Sequence, residues 1–104
     1  MALPVPSVDE YFEFLASWYV AHCDGEWEHE FGVRIETVDN PGWNLRVDII
    51  GTEMEGRIAT RGRREFEGGG WLIVESDGRS FEASCDAMSL RLAVQEFKKF
   101  VDTE

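Results

Sequence analysis

The sequence predicts an α+β fold: an N-terminal helix, an antiparallel sheet of about four strands built from hairpins, and a C-terminal helix, with both helices on one face of the sheet. Three observations carry this. Apolar side chains recur at helical spacing over residues 8–22 and again over residues 90–101. Between those stretches apolar and polar residues alternate with period two. Asn-Pro-Gly and Asp-Gly turn signals punctuate the alternating part. The 104 residues fit one domain, spanning 1–104. A chain of this size buries roughly two-thirds of its unfolded surface, enough for a core without disulfides or metal.

The first helix is expected to start at a capping box, with Ser7 as N-cap and Glu10 reaching back to it. Its stripe is Val8, Tyr11, Phe12, Leu15, Trp18, Tyr19 and His22, with Phe14 beside it. Asp24-Gly25 is the expected stop, Gly25 taking the left-handed conformation. Residues 26–31 show neither helical nor strand period. Val33, Ile35 and Thr37 then define a strand. Asp39, Asn40, Pro41 and Gly42 make a turn, in which Pro fixes one φ and Gly permits a positive one. Trp43, Leu45, Val47 and Ile49 complete the hairpin.

Residues 51–70 are the least regular. They hold Arg57, Arg61, Arg63 and Arg64, end in three glycines, and allow a short edge strand at 57–60 or 64–67. The continuous apolar run Trp71, Leu72, Ile73, Val74 suits a strand covered on both faces. An Asp77-Gly78 turn joins it to Phe81, Ala83 and Cys85. Asp86 is positioned to cap the last helix, whose stripe is Leu90, Ala93, Val94, Phe97, Phe100 and Val101. The sheet face away from the helices carries Arg34, Glu36, Asn44, Arg46 and Asp48, open to solvent or a partner.

The formal charge is −11, from 10 basic and 21 acidic residues. Such a chain repels nucleic acid and anionic lipid and attracts basic partners. Seven acidic residues and no Lys or Arg fall between residues 1 and 32. Two cysteines, no secretory signal and no apolar run of membrane-spanning length point to a cytoplasmic protein with reduced thiols.

Metal-ligand residue types crowd residues 22–30: His22, Cys23, Asp24, Glu26, Glu28, His29 and Glu30. Their spacing fits neither a zinc pattern nor a calcium loop, so no metal and no cofactor are expected. Cys23 with His22 or His29 offers a thiolate–imidazole pair, but no third orienting group is evident, so no catalytic residue is assigned. Trp27 and Trp43 are candidate interface anchors, since Trp is enriched at binding hot spots. Asp24, Glu26, Glu28, His29 and Glu30 supply the charged surface around Trp27. Cys23, Gly25, Asp39, Asn40, Pro41 and Gly42 are read as structural, because Asp-Gly and Asp-Asn-Pro-Gly are turn chemistry first.

Residues 18–49, WYVAHCDGEWEHEFGVRIETVDNPGWNLRVDI, resemble the signature of the bacterial immunity protein 53 family. That pattern runs Trp-Tyr, Cys-Asp-Gly-(Asp/Glu)-Trp-Glu-His, Gly, a strand with Glu-Thr, then Asp-Asn-Pro-Gly-Trp and a second strand. The resemblance covers about a third of the chain and does not extend to the Arg-rich middle. It implies a small non-enzymatic cytoplasmic protein, encoded beside a polymorphic toxin, that binds and neutralises a cognate toxin domain. A basic toxin such as a nuclease would suit the acidic surface. The alternatives are a small metal- or thiol-dependent enzyme using His22, Cys23, Glu26 and His29, or a non-catalytic module that docks through the open sheet face.

Overall fold

The structure, a computed structural model, describes residues 9–103. It contains helix α1 (Glu10–His22), a single-turn helix α2 (Trp27–Glu30), strands β1 (Val33–Val38), β2 (Gly42–Asp48), β3 (Ile58–Glu65), β4 (Trp71–Asp77) and β5 (Ser80–Asp86), and helix α3 (Leu90–Asp102). All strand pairs are antiparallel, in the order β1-β2-β5-β4-β3. The α+β class and the helix–sheet–helix order follow the sequence expectation, with a fifth strand and a short helix added.

The last strand in the chain, β5, is the middle of the sheet, and it joins the β1–β2 hairpin to the β3–β4 hairpin. Leu45 faces Ala83 and Val47 faces Phe81 in the β2–β5 register. These side chains are fully buried, so a one-residue slip would expose the whole row. α3 packs on β5, β4 and β2, and α1 packs on α3. Phe97 of α3 is the hub: its ring lies 5.0 Å from Trp18, 5.2 Å from Phe81 and 6.2 Å from Phe14. Leu15 and Trp18 of α1 close the same core, and Phe14 widens the buried face of that helix.

Several local expectations are corrected. The Ser7 cap lies outside the described residues. Asp9 is the N-cap of α1, and its carboxylate accepts from Tyr11 N–H at 3.0 Å. Gly25 is left-handed as expected (φ +95°), but α1 has already ended at Cys23 in extended backbone. β4 is not covered on both faces. Ile73 pairs with Ser84 and Arg63 on the open side and is only half-buried. Asp86 does not cap α3 directly. It accepts from Trp71 N–H at 2.8 Å and Met88 N–H at 3.2 Å, tying the start of β4 to the turn before α3.

β3 uses the arginine-rich segment as an edge strand with a bulge between Ala59 and Gly62. Arg57 leaves that segment to cap α3. Its guanidinium donates to the carbonyls of Phe100 and Thr103, satisfying oxygens that the helix end leaves free. Arg64 reaches Glu96 of α3 on the helix side of the sheet. The expected positive φ at Gly42 is absent. Glycine is required there for another reason: a Cβ would overlap the backbone carbonyl of Cys85 on β5. Gly42→Ala is therefore expected to destabilise the domain by about 1–3 kcal/mol through overpacking, measured as a lower urea midpoint. An unchanged midpoint would show that β2 can move away from β5 at no cost.

Candidate partner-binding corner

Six of the seven expected partner-contact residues, Asp24, Glu26, Trp27, Glu28, His29 and Glu30, fall at the corner where α1 passes through α2 into β1. Asp24 caps the short helix: its Oδ1 accepts from Glu26 N–H and Trp27 N–H, both at 2.9 Å. Glu28 folds back, accepting from Asp24 N–H at 2.9 Å and Gly25 N–H at 2.8 Å. The two carboxylates thus close a local ring of charge-assisted bonds. Trp27 Nε1 donates to the Ile50 carbonyl at 2.8 Å, anchoring the corner to the residues after β2. Gly32 N–H donates to Asp48 at 3.0 Å, which fixes the entry into β1.

These contacts correct the anchor assignment for Trp27. It is only 7% exposed and sits edge-on to Trp18, with ring centroids 6.0 Å apart. It builds the corner from inside. Trp43 lies at the far end of the β1–β2 hairpin, roughly 17 Å along the strand from the corner. It is half-buried, and its Nε1 donates to the Ala87 carbonyl at 3.0 Å. The two tryptophans therefore do not share one surface. The side chains that do reach solvent at the corner are Asp24, Glu26, His29 and Glu30, with Tyr19 at 37% exposure beside the Trp27 ring.

The carboxyls of Asp24 and Glu28 are both held below the usual carboxylate value. For Asp24 the Trp27 and Glu26 amides are the cause. For Glu28 it is its own backbone amide, then those of Asp24 and Gly25. A depressed folded-state pKa stabilises the fold above the unfolded value and loses that effect as pH falls through the folded one. The urea midpoint is therefore expected to drop on acidification below about pH 4. Asp24→Asn should show a smaller drop between pH 7 and pH 3 than the parent, and an equal drop would mean that the Asp24 cap is not part of the acid response.

The residues of the enzyme alternative are not assembled. His22 Nδ1 donates to the Trp18 carbonyl at 2.8 Å, and its Nε2 faces the Glu53 carboxylate at 2.9 Å. That contact, in turn, is the main reason the Glu53 carboxyl is held low. Sequence reasoning missed Glu53, since no pattern links it to a histidine in another part of the chain. Cys23 Sγ donates to the Tyr19 carbonyl at 3.2 Å, so neither histidine is its hydrogen-bond partner. Cys85 is fully buried, and burial, then the neighbouring Asp86 charge, pushes its thiol up to about 11. Among the described residues, no three His, Cys, Asp or Glu side chains come together as a metal cage. No helix among them is long and apolar enough to cross a membrane.

The arrangement defines a small α+β domain whose distinctive stretch builds an acidic corner in which His22, Cys23, Asp24 and Glu28 make structural bonds. The chain belongs to the immunity protein 53 family, whose family model matches residues 12–102. That span includes the arginine-rich β3 and α3, which the motif over residues 18–49 does not reach. No curated protein and no solved structure matches the chain significantly.

Proposed function

We propose that this protein protects its cell by binding a cognate polymorphic toxin domain one-to-one in the cytoplasm, acting as a single domain and without catalysis. The observation that carries the reading is the acidic corner in a chain of the immunity protein 53 family. Between residues 9 and 32 there are seven carboxylates and no Lys or Arg. Glu26, His29 and Glu30 present that charge on a backbone held rigid by Asp24, Trp27 and Glu28. A preorganised charged surface speeds encounter with a basic partner and loses little entropy on binding. Tyr19, exposed beside it, supplies the apolar contact that the buried Trp27 cannot.

Co-expression tests the reading. The toxin domain encoded beside this chain should arrest growth alone and be tolerated when this protein is present. Continued arrest, with both proteins soluble, would remove the immunity reading.

A further inference from the structure

Next to the acidic corner, the open face of the sheet holds a cavity of about 320 Å³. Arg34, Arg46 and Arg79 line it, and Glu30 is shared with the corner. Arg34 and Arg46 stand directly opposite each other in the β1–β2 register. Like charges in that relation oppose strand pairing, so the arrangement is a local cost to the fold. Arg46 has a carboxylate neighbour, Glu82 at 3.5 Å. Among the described residues, Arg34 and Arg79 make no ion pair.

Two of the cavity's three carboxylates hold backbone amides, while the third, Glu30, lies at the edge shared with the corner. Asp48 Oδ2 accepts from Gly32 N–H, and Asp77 Oδ1 accepts from Arg79 N–H and Ser80 N–H. Among the described residues, the Arg34 and Arg79 guanidinium groups stand beside these carboxylates without pairing to any of them. A sheet that tolerates opposed arginines over a concave site breaks its own pairing rule, as functional sites do.

We propose that this cavity receives a carboxylate carried by the partner protein, bound by the guanidinium groups of Arg34 and Arg79. Planar guanidinium matches a carboxylate bidentately. The net charge of −11 repels nucleic acid and other polyanions, whereas a basic protein is drawn in and can deliver one acidic side chain. That the bearer is the toxin domain rests on the immunity reading above. With Glu30 at the shared edge, the surface is acidic on one side and cationic on the other, and such a surface fixes one orientation of the partner.

Titration of the 15N-labelled full chain with glutarate, read at the arginine Nε–H resonances, tests the cavity without any toxin. The expected result is a saturable shift at Arg34 and Arg79 that disappears in the R34Q/R79Q variant. Both positions are exposed, so the variant's amide spectrum should otherwise be unchanged. R34K/R79K, which keeps charge but loses the planar fork, should bind more weakly than the parent. A non-saturable shift, or one that survives in R34Q/R79Q, overturns the proposal. Phosphate shifting the same resonances at lower concentration than glutarate overturns the carboxylate assignment. Against the toxin domain, R34Q/R79Q should dissociate about 10-fold faster without associating more slowly. If it dissociates at the parental rate, the cavity is not part of the interface. Failure of the parent protein to bind the toxin would sink the immunity reading and leave the glutarate result standing.

Discussion

Trp27→Ala is expected to lower the unfolding free energy by about 3–5 kcal/mol, as truncation of a buried large aromatic does. The ring packs against Trp18, Tyr19 and Phe31, and Nε1 holds the Ile50 carbonyl. Small domains have only about 5–15 kcal/mol in total, so the variant should sit near its unfolding threshold. Chemical denaturation measures the loss. Trp27→Phe separates structure from contact: it keeps a ring and gives up one hydrogen bond, at about 1 kcal/mol. That variant should remain folded and bind the toxin domain with the parental affinity. A folded Trp27→Phe protein that binds tenfold more weakly would restore Trp27 to the interface.

Replacing Glu26 and Glu30 with Gln is expected to slow association with a basic toxin domain by roughly 10-fold at low ionic strength and to flatten its salt dependence. Stability should hardly change, because both side chains are exposed and neither makes an ion pair among the described residues. Adding Glu28→Gln tests something different, since Glu28 holds the Asp24 and Gly25 amides. Its loss should appear in denaturation as well as in binding. Stopped-flow association across a salt series distinguishes the two effects. Unaltered rates in the Glu26/Glu30 variant would place the interface elsewhere.

The elements that were legible in the sequence are those with one buried face. α3 and the β2 and β5 strands each present a stripe or an alternation because one side meets the core, and their residues are buried in that pattern. β3 could not announce itself in this way. It is an edge strand with nearly every residue exposed, so no hydrophobic period was imposed on it. α2 is a single turn, too short to show a period. Its stabilising pair was also off-pattern: Glu28 stands four residues after Asp24, whereas a capping box expects three.

The acidic corner was legible as a stretch of sequence, and its internal packing was not. Residues 24–30 do form one acidic corner. Residue type alone could not say that Trp27 points inward, or that Asp24 and Glu28 satisfy backbone amides. The opposed pair Arg34 and Arg46 was visible as outward-facing strand positions. What the sequence lacked was the register that sets the two side by side.

Inhibition by one-to-one binding is checked by titrating a fixed amount of active toxin domain with this protein. Residual toxin activity should fall linearly and reach its floor at one equivalent, independent of incubation time after mixing. Loss of activity at a small fraction of an equivalent, deepening with time, would mean turnover and rule out inhibition by binding alone. So would full toxin activity at several equivalents.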